Sequence, residues 1–346
     1  MTIPSFPRCQ TQACSGHSLS FADRCWEHVD REAYVSALHH RLETLPRNSA
    51  FPLNLKKVHA ADLNFSGLDI RGSSFSQAHI TGGSFIGADL SESDMIGARI
   101  SSCDFVGSDI YCANFTKAII SSSSFSHSDL RGSCFAEAHF RDTDFMGAIL
   151  FDCILWNADL SGARNIKKSN FNNPSGGKRL PDCHLSEKNA LAAYESYGNV
   201  KHHFYRNGFY EAGRWAAYRE LTMERKHFFE KKDPRYIPSL LMDLLSGYTE
   251  KPNRVIVSSL LIITVFGVLY HWFNVPVCNT PNACGGKISL WDSLYFSFIT
   301  FTTVGYGDFT PRPVIWFRLL ACVEAFSGPF MAGLYIFTLT RRYAAN

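Results

Sequence analysis

The stretch FSGLDIRGSSFSQAHITGGSFIGADL, from Phe65 to Leu90, places a large apolar residue at every fifth position. This spacing continues without a failure to Leu160, and from Ser73 to Ala158 the residue two positions earlier is always small. Neither the 3.6-residue period of a helix nor the two-residue period of a strand fits this pattern. The five-residue period therefore indicates a repeat that is neither an amphipathic helix nor an ordinary strand.

Four segments carry the resemblance that explains this period: ADLNF at Ala61, ADLSE at Ala88, ANFTK at Ala113 and ADLSG at Ala158. They follow the A(D/N)LXX pattern, and the region resembles the pentapeptide-repeat family. That resemblance implies a right-handed, four-sided β-helix with five residues on each side. Twenty repeats then make about five coils, and at ~4.8 Å per coil the rod is roughly 24 Å long. One ladder of rings is expected at twenty-residue intervals, from Phe65, Phe85, Phe105, Phe125 and Phe145.

The repeat region is acidic, with thirteen Asp and Glu against five Lys and Arg between Ala61 and Ala163, although the whole chain has a formal net charge of +3. Some pentapeptide-repeat proteins look like DNA and bind topoisomerases, so a nucleic-acid mimic is an alternative interpretation. We expect instead a solvated scaffold or assembly surface for an unknown cytoplasmic protein or ligand, with no nucleic acid bound. Cys103 and Cys153 occupy the small inward position and are expected to be core residues.

A second motif, TTVGYGD from Thr302 to Asp308, stands between two apolar stretches near the C-terminal end. It resembles the selectivity filter of the potassium channel family, in which rings of backbone carbonyls from four chains replace the hydration shell of K⁺. Gly305 and Gly307 supply backbone angles that other residues rarely adopt. The resemblance assigns the filter to Thr303, Val304, Gly305, Tyr306, Gly307 and Asp308.

The flanking sequence has the order of a pore module. Val255 to Phe273 is a run of 19 residues without a charge, which spans roughly 28 Å as a helix, about the thickness of a bilayer core. Val314 to Leu339 is a second apolar stretch. Between them, Ser289 with Asp292 predicts a capped pore helix that runs to Phe301. The sequence therefore predicts two transmembrane helices around a pore helix and a filter.

Basic residues before the first span and after the second predict that both termini are cytoplasmic, in a bacterial inner membrane. The loop from Asn274 to Lys287 then faces outward, where a disulfide between Cys278 and Cys284 is expected. Two free thiols are the alternative.

Two features of the second span are singled out. Glu324 is costly in lipid, so it is either directly functional or hydrogen-bonded behind the filter, where it holds the pore helix in place. Gly328 followed by Pro329 resembles the hinge of potassium channels and is a candidate for the bend that opens the gate. A glycine chosen for close helix packing is the alternative.

The N-terminal segment contains Cys9, Cys14, Cys25 and His28, spaced C-x4-C-x10-C-x2-H. Three thiolates and one imidazole suit tetrahedral zinc, and cytosolic thiols stay reduced. The spacing predicts a structural zinc site, with His17 as a competing fourth ligand. Unpaired thiols in a loose tail are the alternative.

We therefore predict a multidomain protein with a cytoplasmic solenoid, an α-helical hairpin and an all-α pore module. Its expected parts are residues 1–50 with the zinc site, 51–172 as solenoid, 173–185 as linker, 186–235 as helical hairpin, 236–253 as interfacial cuff helix and 254–346 as pore domain. The predicted function is a homotetrameric potassium channel in the lipid bilayer, with K⁺ in the filter. No catalytic motif and no arginine series of a voltage sensor is present. The alternative is a membrane-anchored interaction protein, with the acidic solenoid as its working surface and a vestigial pore.

Overall fold

The chain divides into two compact units, Met1–His227 and Phe228–Asn346. The computed structural model describes residues 6–47, 49–171, 190–279 and 288–343. The predicted linker, residues 173–185, lies outside these ranges.

The first unit begins with an irregular segment and helix α1, Arg31–Thr44. The Asp30 side chain caps α1 by accepting a hydrogen bond from the Ala33 amide at 3.2 Å, which satisfies a donor that has no partner within the helix. The buried side chains of α1 belong to the same apolar core as the solenoid that follows. The N-terminal segment is therefore part of the first unit and not a loose tail.

The solenoid is built from short parallel strands. Five of them form one sheet in chain order: β1 His59–Ala61, β2 His79–Thr81, β3 Arg99–Ser101, β4 Ile119–Ser121 and β5 His139–Arg141. A second sheet pairs β6, Thr143–Asp144, with β7, Ala163–Arg164. In both sheets each residue pairs with the one twenty positions later. A coil therefore takes twenty residues, and the predicted solenoid of about five coils is confirmed.

The predicted ladder of phenylalanine rings runs through the solenoid core. From Phe65 to Phe145 the successive ring centroids lie 4.6, 4.5, 4.6 and 5.5 Å apart, with nearly parallel planes. These distances match the spacing of adjacent strands, so each ring packs on the ring of the next coil. Cys103 and Cys153 are buried free thiols, which confirms their assignment to the core.

A left-handed residue marks every corner of the solenoid. From Phe65 to Leu155, the residue two positions after each central apolar residue has a positive φ, whether it is glycine, as at Gly67 (66°), or not, as at Lys117 (60°). Left-handed backbone costs a residue with a side chain about 1–2 kcal/mol. Hydrogen bonds between coils hold these corners in place, as from the Lys117 amide to the Ala136 carbonyl at 2.8 Å.

A helical hairpin covers the last coil. It consists of α2, Ala190–Arg206, and α3, Tyr210–Glu230, which crosses the boundary between the units. The Leu155 amide donates to Ser196 Oγ at 3.0 Å, and Asn199 Nδ2 donates to the Leu155 carbonyl at 2.7 Å. His203 Nδ1 lies 3.0 Å from the Leu160 carbonyl. The hairpin therefore satisfies backbone groups that would otherwise end the solenoid without partners.

The second unit is mainly helical. Its elements are α4 Tyr236–Ser246, α5 Pro252–Trp272, β8 Pro276–Cys278, α6 Leu290–Phe301, β9 Phe309–Pro311 and α7 Ile315–Tyr343. β8 and β9 pair antiparallel. Among the described residues, α5 and α7 are long and apolar enough to cross a membrane. Both helices overlap the predicted spans: α5 begins three residues earlier, and α7 ends four residues later.

Candidate functional site

The pore helix α6 is capped as the sequence predicts. The Asp292 amide donates to Ser289 Oγ at 3.2 Å, and the Ser289 amide donates to Asp292 Oδ2 at 2.8 Å. This reciprocal capping box satisfies two donors at the helix start. The helix ends at Phe301, immediately before TTVGYGD. Its C-terminal end carries partial negative charge, which favours a cation near the start of that motif.

The motif itself has an alternating backbone. Thr303, Gly305 and Gly307 have φ values of 57°, 53° and 81°, and the residues between them are not left-handed. The amides of Val304 and Gly305 both donate to the Ile299 carbonyl of α6, at 3.0 and 3.3 Å. Because the C=O of a trans peptide group points opposite to its N–H, the carbonyl oxygens of Thr303 and Val304 point away from α6. Residues 302–307 are exposed on this single chain. The arrangement offers a row of oxygens to a ligand outside the chain.

Polar contacts of Asn279 hold the Gly307–Asp308 end of the motif. Asn279, directly after β8, donates from Nδ2 to the Gly307 carbonyl at 2.7 Å and from its amide to the Asp308 carbonyl at 2.9 Å. Thr310 Oγ1 in turn donates to Asn279 Oδ1 at 3.0 Å. The pairing of β8 with β9 continues this contact away from the motif. The Gly307–Asp308 end of the motif is therefore held by a segment about thirty residues earlier in the chain.

Glu324 is fully buried and joins three helices. Its Oε2 accepts a hydrogen bond from Tyr270 Oη of α5 at 2.6 Å, and its Oε1 contacts Ser297 Oγ of α6. Ser297 also lies 2.8 Å from the Ile263 carbonyl of α5. The carboxylate on α7 thus fixes the pore helix from behind, which is the supporting arrangement expected for a polar residue in such a helix.

Gly328 lies against the end of the pore helix. A Cβ atom at this position would stand 1.7 Å from the Phe301 carbonyl oxygen, far inside any van der Waals contact. Helix α7 continues through Gly328 and Pro329 to Tyr343. Close packing therefore accounts for this glycine, and a hinge at Gly328 and Pro329 stays a prediction.

Helix α4 presents its apolar side outward. Ile237, Leu241 and Leu244 are exposed, whereas Asp243 and Ser246 are buried against the unit. Arg254 Nη1 of α5 contacts Asp243 Oδ1 at 2.8 Å. An exposed apolar face backed by paired polar groups is the pattern of a helix that lies in a membrane interface.

The turn after α4 is tied to the end of α7. Arg341 donates to Thr249 Oγ1 at 2.7 Å and pairs with Glu250 Oε1 at 3.2 Å. The Glu250 side chain is nearly buried, so this contact is better protected from water than an ordinary surface ion pair. Arg341 therefore links the turn after α4 to the last turn of α7.

The predicted metal ligands come together in the first unit. One donor atom from each of Cys9, Cys14, Cys25 and His28 lies within 4.8 Å of the others. His17 does not join them, and its Nδ1 lies 2.7 Å from the Phe6 carbonyl. The structure therefore favours His28 as the fourth ligand.

The cysteines of this cluster are free thiols that receive hydrogen bonds. The Gly16 amide donates to Cys14 Sγ at 3.4 Å, and the Cys25 amide donates to Cys9 Sγ at 3.3 Å. A hydrogen bond from the Thr11 side chain, aided by the Cys25 amide and opposed by desolvation, lowers the pKa of the Cys9 thiol to about 6.

The predicted disulfide is described only at one end. Cys278 is disulfide-bonded, and Cys284 lies outside the described residues. The pairing of Cys278 with Cys284 stays a prediction.

Sequence reasoning missed three contributors to the site: Asn279, Tyr270 and Ser297. Each is an ordinary residue type in its segment, and none belongs to a motif. The polar Ser297 inside an apolar pore helix was the only signal in the sequence, since such a side chain needs a buried partner. Asn279 and Tyr270 become recognisable only when the chain brings them to Gly307 and Glu324.

Comparison with known proteins divides the chain in the same way. Residues 258–345 match the model of the ion channel family, and residues 61–164 match pentapeptide repeats in eight copies. Over 91 residues the chain is 52% identical to two-pore potassium channel 1 of Arabidopsis thaliana, a match that covers 26% of this chain. The chain spans only 23% of the length of that channel.

Two solved structures similar to this chain are pentapeptide repeat proteins. One, from the Arabidopsis thaliana thylakoid lumen, is 18% identical, with 38% of this chain and 88% of that chain covered and a TM-score of 0.21. The other, from the cyanobacterium Cyanothece, is 17% identical, with 36% and 97% covered and a TM-score of 0.16. The assignment of the solenoid rests on its own twenty-residue register.

Proposed function

We propose that this chain, which joins pentapeptide repeats to a region of the ion channel family, forms a homotetrameric potassium channel with a regulatory or scaffolding solenoid. Four copies of residues 303–307 would surround one pore, and their carbonyl oxygens would replace the hydration shell of K⁺. The protein would lie in the bacterial inner membrane, with α5 and α7 across the bilayer and both termini in the cytoplasm.

The observation that carries this proposal is the alternating backbone of Thr303, Gly305 and Gly307 directly after a capped pore helix. A chance Gly-Tyr-Gly turn needs neither the alternation nor the preceding helix. The exposure of residues 302–307 on one chain also fits, because a filter made by four chains is incomplete in one.

The direct test is ion flux through the purified full chain in lipid vesicles. We expect K⁺ to pass far better than Na⁺, and Gly305→Asp to abolish the preference because a side chain and a charge enter the row of carbonyls. Equal passage of the two ions through the unchanged protein would contradict selectivity. Absence of any flux would favour the membrane-anchored interaction protein.

The role of Glu324 in the proposed channel is to support the filter. Glu324→Ala removes the acceptor of the Tyr270 hydroxyl and the contact with Ser297. A buried hydroxyl that loses its hydrogen-bond partner costs about 1–3 kcal/mol of stability. We expect loss of selective flux from Glu324→Ala and substantial retention from Glu324→Gln, which keeps an acceptor for Tyr270. Equal loss from both variants would show that the charge itself is required.

The cluster of Cys9, Cys14, Cys25 and His28 is proposed to bind zinc. Zn–S bonds of ~2.3 Å and Zn–N bonds of ~2.0 Å place the ligand atoms of a tetrahedral site roughly 3.4–3.8 Å apart. The Cys14 and Cys25 sulfurs lie 3.7 Å apart, and Cys25 Sγ lies 3.2 Å from His28 Nδ1. A sulfur separation of 3.7 Å excludes a disulfide bond, for which ~2.05 Å is required.

The solenoid is proposed to control or assemble the channel from the cytoplasm through a protein or ligand that is not identified. Helix α2 covers the C-terminal end of the solenoid. A partner would therefore bind the sides of the solenoid, where the acidic residues lie. Vesicle flux from a chain that lacks Met1 to Gly177 tests this role. Persistent selective flux would show that the solenoid is not required for conduction, and a loss of regulation with retained flux would assign control to the removed part.

A further inference from the structure

The first coil of the solenoid has an edge that no earlier coil can cover. An open row of strand groups invites pairing with other chains, and proteins usually cover such edges. Here the N-terminal segment pairs with it at Asn54. The Asn54 amide donates to Ser20 Oγ at 2.8 Å, the Ser20 amide donates to the Asn54 carbonyl at 3.0 Å, and Asn54 Nδ2 donates to the Ser18 carbonyl at 2.6 Å.

The same segment also covers the apolar end of the coil. Leu19 and Trp26 are buried in one cluster with Leu53 and Leu55 of the first coil. The Trp26 ring also lies 5.6 Å from the ring of His59 on β1. We call residues 6–30 the N-terminal lid. Removal of the lid would expose both the backbone edge and the core of the solenoid.

The lid has almost no regular structure to keep its own shape. Within residues 6–30 its β-pairing is a single bridge, between Arg8 and His17. The cysteine and histidine cluster brings its two ends together, since Cys9 is near the start and His28 near the finish of the lid. A short loop without a core of its own commonly depends on a metal or a disulfide.

We infer that zinc held by Cys9, Cys14, Cys25 and His28 fastens the N-terminal lid over the first coil, so that metal binding and closure of this end of the solenoid form one equilibrium. The inference rests on the proposed zinc site. It goes beyond that site because it states that zinc also stabilises the first coil, which a zinc ion in a freely detaching segment would not do. The distant coils, which are stabilised by their own neighbours, should respond little.

The first measurement establishes the metal. The full chain, purified without added chelator, is expected to contain one zinc per chain, and replacement by Co²⁺ should give the absorption of a tetrahedral site with thiolate ligands. His28→Ala should lose the metal, whereas the matched variant His17→Ala should keep it. A zinc-free wild-type protein that also fails to take up Co²⁺ would overturn both the zinc proposal and this inference.

The second measurement tests the fastening. Zinc is removed from the wild-type full chain with a chelator and then restored, and amide hydrogen exchange is followed in residues 53–61 and in residues 148–155. We expect exchange in the first coil to accelerate about ten-fold or more without zinc and to recover with it, while exchange in the late coil changes little. The wild-type protein is used because a ligand variant that fails to fold would report nothing about the lid.

Two controls separate the outcomes. Cys134→Ser removes a free thiol of the solenoid outside the cluster and should leave both zinc content and exchange unchanged. If the wild-type protein binds zinc but the first coil exchanges at the same rate with and without it, the lid inference is wrong and the zinc site stands. K⁺ flux is measured on the same samples, so failure of the channel proposal is recorded separately.

Discussion

The solenoid buries its phenylalanine rings, whereas the pore region exposes several large aromatic side chains. Phe105 is 0% exposed between the rings of Phe85 and Phe125. Phe326 and Trp316 of α7 are 79% and 73% exposed. The first unit completes its core with its own repeats, whereas the second presents large apolar side chains to its surroundings. A repeat whose partner is the next repeat needs nothing outside the chain; a pore helix bundle needs lipid and, in the proposed channel, other copies.

The largest expected effect on stability comes from replacing a phenylalanine by alanine, once in each unit. Phe105→Ala should destabilise the solenoid by about 3–5 kcal/mol, because it leaves a cavity in a ladder that cannot collapse. Phe326→Ala should have little effect on the fold of its own unit, because the side chain has few contacts there. Hydrogen exchange of β3 and β4 and of α7 in the lipid-embedded protein measures the two effects. Similar losses in both units would break the comparison.

A second test concerns the tightest contact of the pore region. Gly328→Ala places a methyl group on the Phe301 carbonyl, and overpacking of this kind costs about 1–3 kcal/mol or more. Gly333→Ala adds the same methyl group on the same helix where no atom lies within 4 Å. We expect reduced K⁺ flux and weaker tetramers from the first variant only. Normal flux from Gly328→Ala would indicate that α7 moves away from the pore helix at little cost.

The polar contacts of Asn279 give the next effect, which lacks the backbone clash that raises the cost of Gly328→Ala. Asn279→Asp removes the donor to the Gly307 carbonyl and places a carboxylate oxygen against it, while the acceptor for Thr310 remains. We expect a cost of about 1–3 kcal/mol at the outer end of the filter. It should appear as faster decay of K⁺ flux at low external K⁺. Thr310→Val removes the hydrogen bond from Thr310 to Asn279 and should speed the decay of K⁺ flux less than Asn279→Asp does. If the two variants speed the decay equally, these contacts only stabilise the loop.

The smallest effect is a pH dependence at the C-terminal end of the solenoid. Burial lowers the pKa of His203. The hydrogen bond to the Leu160 carbonyl opposes this shift, and repulsion by the charge of Arg206 adds to it. The unfolded state therefore binds a proton more readily, and the docking of α2 should weaken as the pH falls below the ordinary histidine value of ~6.5. Protease resistance of α2 at pH 7.5 and 5.5 measures this. His203→Gln should reduce the pH dependence of protease resistance. His202 is exposed, so the matched control His202→Gln should leave that dependence unchanged.

Much of the fold was predictable because each signal was local or periodic. The five-residue period depends only on which side chains face inward. Together with the resemblance to the pentapeptide-repeat family, it led to a solenoid with a twenty-residue coil. The capping box at Ser289 and the apolar runs of α5 and α7 predicted helix positions within a few residues. The leucine pattern of α4 also predicted a helix with an apolar face, and its place in a membrane interface stays a prediction. Local chemistry decides these features, and distant partners only refine them.

The supporting contacts of the site were not predictable in the same way. Glu324 was recognised as exceptional, but its partners Tyr270 and Ser297 lie 54 and 27 residues away. The choice between a hinge and a packing contact at Gly328 depends on one carbonyl of another helix. These relations are set by how helices cross, and no local pattern encodes the crossing.

By itself, the sequence determined that one part of the chain repeats every five residues and that another carries a capped pore helix, TTVGYGD and two apolar helices. Only the tertiary structure decided what closes the solenoid at each end, which histidine joins Cys9, Cys14 and Cys25, and that Asn279 holds Gly307 and Asp308 of TTVGYGD. Periodicity and caps are satisfied within a few residues or by the neighbouring repeat. The polar groups of Asn54, Gly307 and Glu324 find their hydrogen-bond partners only in segments that folding brings from elsewhere in the chain.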